Sequence, residues 1–223
     1  MKNFSNTYIF LFSAAMVLIV SAGLAVASLG LAPYQQRNIQ IESYRNILKS
    51  LGVTSTPADA EQLFREYVKE ELVIADGKVV EGKRAADASG DEQVLYLAQK
   101  ENQTFYVVPL HGKGLWGKIW GFVALGPDRN TISGVVFAHQ GETPGLGAEI
   151  STSEYQQQFA GKKFVDPERG FVSVSLLKKG SYQPNDFTVD AISGGTLTSK
   201  GVQAMLYNCL KAFQPYFSNL KSE

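Results

Sequence analysis

From Tyr8 to Ala32 the chain carries no charged residue, and the run YIFLFSAAMVLIVSAGLAVASLGLA is broken only by Ser and Gly. About 20 such residues suffice to cross the hydrocarbon core of a bilayer. The pattern therefore predicts one N-terminal transmembrane helix, with Pro33 and Tyr34 marking its end at the interface. A cleaved secretory signal is the rival reading, since Lys2 gives a basic start and Ala25-Val26-Ala27 has the small residues of a cleavage site. The apolar region of a signal is typically about 7–15 residues long, and this run is longer, so a retained anchor is expected. Ile41, Tyr44, Leu48 and Leu51 then recur at three- and four-residue spacing, which predicts a helix over Gln35–Leu51. Thr56-Pro57 predicts the start of a second helix, with Leu63, Phe64 and Val68 as its apolar side.

Beyond that point the period changes. Leu72–Ala75, Asp76-Gly77 and Lys78–Glu81 read as a hairpin, because Asp-Gly supplies the positive φ angles of a tight turn. Further strands are predicted at Val94–Leu97, Phe105–Leu110, Lys118–Leu125, Thr131–His139 and Phe171–Leu177, separated by Gly- and Pro-containing turns. A short helix is expected over Ser153–Ala160, ended by Gly161, and a last helix from about Ser199 to Phe213, with Val202, Leu206, Leu210 and Phe213 as its apolar stripe. Antiparallel strands with helices before, between and after them predict an α+β fold, an antiparallel sheet flanked by helices and preceded by the membrane helix. The expected domains are residues 1–33 as cytoplasmic start and anchor, 34–56 as helical connector and 57–223 as a ligand-binding domain.

Composition removes several classes of function. Lys+Arg and Asp+Glu both number 21. A neutral chain without a basic cluster argues against nucleic acid as partner. One cysteine, Cys209, allows neither an internal disulfide nor a Cys-ligated metal centre, and it reads as a small core residue. His111 and His139 are the two histidines; both read as structural, and no metal site is expected. Gly77 to Arg84 nearly spells a phosphate-binding P-loop, but Arg84 stands where the Mg²⁺-holding hydroxyl belongs. Ala191-Ile-Ser193-Gly-Gly195 resembles a hydrolase nucleophile elbow, yet no histidine follows it, as that arrangement requires. No nicotinamide fingerprint is present.

The segment Asp190-Ala-Ile-Ser193-Gly194-Gly195-Thr196-Leu197-Thr198-Ser199-Lys200 places hydroxyls and two glycines just before a well-patterned helix. Such a start offers unpaired backbone N–H groups and the positive end of the helix dipole, which favour a phosphate, and Lys200 adds a cation. An ordinary capped helix start, with Ser193, Thr198 or Ser199 as cap, accounts for the same residues.

This segment resembles the flavin-attachment motif of the FMN-binding domain family, in which Asp, two residues, Ser or Thr, Gly and Ala precede the Thr that accepts FMN. Asp190, Ser193, Gly194 and Thr196 match that pattern, and Gly195 stands where Ala is usual. Upstream, Val108-Pro-Leu-His-Gly-Lys113-Gly-Leu-Trp116-Gly117 and Gly141-Glu142-Thr143-Pro-Gly145-Leu146-Gly147 are similar to segments of the C subunits of Na⁺-translocating NADH:quinone reductases, in the same order and behind the same single anchor.

The resemblance implies one FMN bound covalently to Thr196 through a phosphoester. It implies that Ser193, Gly194, Gly195, Leu197, Thr198 and Lys200 surround the attachment point. Glu142, Thr143, Gly145, Leu146, Gly147, Lys113 and Trp116 would bind the ring, Asp190 would be read by a flavin transferase, and no residue would be catalytic in its own right. Leu146 could cover a ring face and Thr143 could bond its polar edge. Trp116 is open between packing beside the flavin and plugging the core. The implied role is an electron relay in a multisubunit membrane reductase, from an iron centre in neighbouring subunits towards a second flavin and quinone. The implied place is the bacterial inner membrane, with the C-terminal domain outside the cytoplasm. The charge pattern by itself, Lys2 before the anchor and Arg37, Arg45 and Lys49 after it, points the other way. Two alternatives share parts of this reading: the G subunit of ferredoxin:NAD⁺ reductase complexes, and an exported ligand-binding module without covalent flavin.

Overall fold

In the computed structural model, which describes residues 5–220, the apolar N-terminal stretch forms α1 (Asn6–Ser50), 45 residues long. The sequence predicts two helices parted at Pro33, but α1 runs through this proline. A proline removes only its own N–H bond and crowds one carbonyl, and the residues on either side carry no further breaker. Its most apolar 18-residue window has a mean hydropathy of 2.5 and none of it is buried in protein, so this is the one helix among the described residues long and apolar enough to cross a bilayer. The chain forms two compact units, Met1–Ser43 and Tyr44–Glu223.

In the second unit the alternating segments form β1 (Val68–Ala75), β2 (Lys78–Val79), β3 (Gln93–Lys100), β4 (Gln103–Lys113), β5 (Lys118–Leu125) and β6 (Ile132–His139). They make one sheet in the order β2-β1-β3-β4-β5-β6, with every neighbouring pair antiparallel. The predicted Asp76-Gly77 turn is present, with φ of 49° and 72°. Glu101-Asn102 turns β3 into β4 in the same way, at φ of 51° and 59°, although that dipeptide is a weaker turn signal than Asp-Gly.

The period of two assigns successive side chains to opposite faces. On β5, Ile119, Val123 and Leu125 belong to one core, while Phe122 and Ala124 belong to the other. The first core is closed by α4 (Thr196–Asn219), through Val202, Met205, Leu206, Leu210 and Phe213. The second is closed by α2 (Ala60–Tyr67), through Phe64, and by Ile47 from the end of α1, with Leu51 just beyond it. Thus Ile47 and Leu51, within the expected connector, are core residues of the second unit. Helix α2 is regular from Ala60, three residues after Pro57, but Thr56 already acts at its start: its carbonyl accepts the Ala60 amide at 3.0 Å and its amide donates to Asp59 Oδ1 at 2.6 Å. Val68 begins β1 instead of ending the helix.

Helix α4 starts at Thr196, earlier than its apolar stripe indicates, and continues through Pro215. Burial of Tyr216 and Phe217 beyond the proline explains the extension. The turn at Gly77 also packs on it: a Cβ added there would lie 2.6 Å from the Pro215 Cβ, and Asn219 donates to the Gly77 carbonyl at 3.2 Å. Between β6 and α4 lie α3 (Ser153–Gln157), capped by the Thr152 hydroxyl, and the short strands β7 (Val165–Asp166), β8 (Gly170–Phe171), β9 (Ser175–Leu177) and β10 (Thr188–Asp190). The predicted single strand Phe171–Leu177 is broken at Ser173, whose φ is 61°. Its first part pairs with β7 and its second, in parallel, with β10. Strand β10 has no counterpart in the sequence pattern; it delivers the chain to the start of α4.

Candidate functional site

Three loops meet where β4 and β6 end and α4 begins. The first, Gly114–Gly117, joins β4 to β5 and is closed by a Gly114 amide bond to the Gly117 carbonyl at 2.9 Å. The second, Gln140–Leu146, follows β6; Gly141 and Gly145 turn it at φ of 83° and 73°. The third, Ala191–Gly195, leads from β10 into α4 and turns at Gly194, φ 74°. A Cβ on Gly201 of α4 would collide with the Lys113 carbonyl oxygen, and one on Gly112 would lie 2.8 Å from the Met205 Cβ. The absence of side chains at these two positions lets the first turns of α4 lie against the end of β4.

Glu142 ties the loops together. Its side chain is buried, with 4% of the residue exposed. Oε1 accepts the Trp116 amide at 2.9 Å and the Gly117 amide at 3.4 Å, and Oε2 accepts the Thr198 hydroxyl at 2.6 Å. Its own amide donates to His139 Nδ1 at 3.3 Å. The carboxylate needs room on both sides: a Cβ on Gly114 would strike Oε1, and one on Gly147 would strike Oε2. Burial alone would push this carboxyl up. The Thr198 hydroxyl and the amides of Trp116, Gly117 and Leu115 outweigh it and hold the group below the ordinary glutamate range.

The first turn of α4 differs in its two threonines. Thr198 is 1% exposed and its hydroxyl is committed to Glu142. Thr196 is exposed and lines a cleft of about 140 Å³ with Leu115, Glu142, Thr143, Leu146, Gly147, Gly194, Gly195, Leu197 and Thr198. No side chain caps the helix, since the N-cap residue is Gly195. Ser199 is the first residue whose amide reaches a carbonyl one turn back, that of Gly195 at 2.9 Å, so the preceding amides are free of helical partners. Ser199 does not cap either; its hydroxyl accepts the Ile192 amide at 3.0 Å and braces the third loop.

The remaining predicted residues divide into those at the cleft and those beside it. Gly194 faces Leu146, whose Cδ2 would be 2.7 Å from a Cβ there. Leu115, Leu146 and Leu197 are exposed apolar groups on the rim, at 45%, 41% and 57%. Trp116 is 70% exposed and therefore is not a core plug. Lys113, Gly145, Ser193 and Lys200 are exposed but do not line the cleft. Asp190 lies outside it, at the end of β10. Its Oδ1 accepts the Tyr182 hydroxyl at 3.1 Å, Lys179 stands 4.0 Å from Oδ2, and its amide donates to Gln158. The sequence pattern does not foretell the parts played by Gly114, Gly117, Gly201 and His139. The close-spaced glycines of the first loop are the available signal for two of them.

Residues 114–211 match the model of the FMN-binding domain, a span that opens at the first loop and encloses all three. Over 92% of its length the chain is 30% identical to the C subunit of the Na(+)-translocating NADH-quinone reductase of Vibrio alginolyticus, covering 91% of that protein. Over 99% of its length it is 34% identical to the protein of the same name from Neisseria meningitidis serogroup A, covering 95% of it. The chain belongs to the family of C subunits of Na⁺-translocating NADH-quinone reductases. The crystal structure of the family member from Parabacteroides distasonis superposes with a TM-score of 0.78 at 37% identity, over 84% of this chain and 97% of that one. Shewanella oneidensis NqrC gives 0.72 at 28% identity, over 85% and 100%.

The cleft fits FMN as a partly enclosed ligand. Pockets that enclose a drug-sized molecule run to about 300–1,000 Å³, and this one is about 140 Å³. It can grip one side of a flat ring between Leu115, Leu146 and Leu197, while the free amides at the start of α4 suit a phosphate.

Proposed function

We propose that FMN is held through a phosphoester to Oγ1 of Thr196. The observation that carries this reading is the contrast between Thr196, exposed at the cleft, and Thr198, buried with its hydroxyl on Glu142. The amides of the first turn of α4 would hold the phosphate, with Lys200 near as a counter-charge. Thr143 would bond the ring's polar edge, Leu115, Leu146 and Leu197 would exclude water from one face, and exposed Trp116 would flank it. Once bound, FMN supplies redox chemistry that side chains lack; the protein contributes position and electrostatics.

An electron relay suits these features. A covalent tether prevents loss of the cofactor, and a shallow cleft leaves one edge open to a partner. In this reading the chain is one subunit of a Na⁺-translocating NADH:quinone reductase and has no complete activity alone. It takes electrons from an iron centre in neighbouring membrane subunits and passes them to a second flavin, towards quinone. Helix α1 anchors it in the bacterial inner membrane, with the domain outside the cytoplasm, and a flavin transferase that reads Asp190 loads the cofactor. The membrane helix carries no ionisable residue from Tyr8 to Ala32 other than the Tyr8 phenol at its edge, so ion passage falls to other subunits.

The test is in-gel flavin fluorescence of the denatured chain from its own host, followed by peptide mass mapping. Thr196→Ala should abolish the fluorescent band and Thr198→Ala should keep it. An FMN mass found on Thr198 or Ser193 would refute the assignment.

A further inference from the structure

Glu142 is the one carboxylate that lines the cleft. Among the described residues no lysine or arginine forms an ion pair with it, and the donors that solvate it, backbone amides of the first loop and the Thr198 hydroxyl, are neutral. Such donors stabilise a buried carboxylate without cancelling its charge. Its field therefore reaches into the cleft, where the protein walls screen it less than water would. We infer that Glu142 is a positioning residue that also sets the reduction potential of the bound flavin, its fixed negative charge opposing the arrival of electrons on the ring and holding the cofactor a stronger reductant. The inference rests on FMN being attached at Thr196.

The geometry separates this electrostatic effect from simple bracing. In Glu142→Gln, Oε1 can still accept the Trp116 and Gly117 amides. The new NH₂ can donate to Thr198 Oγ1, since a hydroxyl both donates and accepts. The shape of the brace is kept and the charge is gone. In Thr198→Val the charge is kept and one of its donors is gone, so the carboxylate is less shielded. The two variants therefore change the field in opposite senses, whereas loosening of the loops, which lets water reach the ring, moves both the same way.

The experiment is a spectroelectrochemical titration at pH 8 of the detergent-solubilised full chain, purified from its own host with flavin attached, for wild type and both variants. In-gel fluorescence and peptide mapping check the attachment, and thermal unfolding checks the fold. The expected result is a midpoint shifted to more positive potential in Glu142→Gln and to more negative potential in Thr198→Val. An attached flavin whose midpoint ignores Glu142→Gln, or shifts of the same sign in both variants, would overturn this role and leave the attachment standing. Should Glu142→Gln not fold, the sign of the Thr198→Val shift decides, a positive or absent one being fatal. A wild-type chain without flavin on Thr196 would refute the attachment, and this role with it.

Discussion

Gly147→Ala places a methyl group where two oxygens are bonded. The Cβ would strike Glu142 Oε2 and come within 2.5 Å of Thr198 Oγ1, the two ends of the 2.6 Å bond that joins the second loop to α4. Neither end yields freely: Glu142 is held from its other oxygen by two amides, and Thr198 is fixed in the helix. A hydrogen bond to a charged group contributes about 1.5–3 kcal/mol. Gly147 is not among the residues at positive φ, so the backbone accepts alanine, and the lower entropy of the unfolded chain returns about 0.4–1 kcal/mol. The net loss should be about 0.5–2.6 kcal/mol. At about 2–4 °C per kcal/mol for a domain of this size, the thermal midpoint of the detergent-solubilised chain, followed by tryptophan fluorescence, should fall by roughly 1–10 °C. Thr198→Val removes the same bond, so the double variant should lose less than the sum of the singles, by about 1 kcal/mol or more. Gly145→Ala is the control: it meets no atom within 4 Å but sits at φ 73°, so it should cost about 1–2 kcal/mol from the backbone alone and add independently to Thr198→Val. A Gly147→Ala midpoint equal to wild type, or strict additivity with Thr198→Val, would refute the brace.

Acid should probe the same carboxylate. Glu142 is held below the ordinary glutamate value of about 4.3, so its contribution is complete above that value and is lost as pH falls through the lower, folded one. Urea midpoints measured from pH 6 down to pH 3 should fall more steeply for wild type than for Glu142→Gln; parallel curves would contradict this. Gly77→Ala combines φ 72° with a 2.6 Å approach to the Pro215 Cβ and should lower the thermal midpoint more than Gly82→Ala, which has the same sense of φ but open space. Leu146→Glu should alter the absorbance of the flavin while the fluorescent band of the denatured chain persists; an unchanged spectrum would place the ring elsewhere. Protease added to spheroplasts should digest the domain, and an intact domain would reverse the proposed topology.

The sheet is legible because it obeys simple periodicities. The alternation along Lys118–Leu125 and the Asp76-Gly77 turn need only local information, and both are present as expected. The departures come where distant contacts outweigh local preference. Pro215 does not end α4 because Tyr216 and Phe217 beyond it are buried against the sheet. Ser173 breaks a strand of good local pattern so that its two halves can pair with different partners. The three glycine-containing loops can be named from the sequence, and the structure brings them to one cleft. Glu142 is among the residues the resemblance names, but its part in joining the first two loops to α4 cannot be foreseen. Glu142 reads locally as a polar loop residue, and its burial follows from a helix that begins far along the chain.

That separation orders the formation of the site in time. Each strand of the six-stranded sheet pairs with a neighbour close in sequence, apart from the loop between β2 and β3, and contacts of short range close first and fastest. The bond between Glu142 and Thr198 spans 56 residues, so the cleft lacks the wall that carries Thr196 until β10 has paired and α4 has docked on β4. Thr196 thus emerges with its sheet already formed but enters its pocket last. An enzyme that recognises only the extended motif has the interval before docking in which to act, and one that reads the finished cleft must wait for the whole domain.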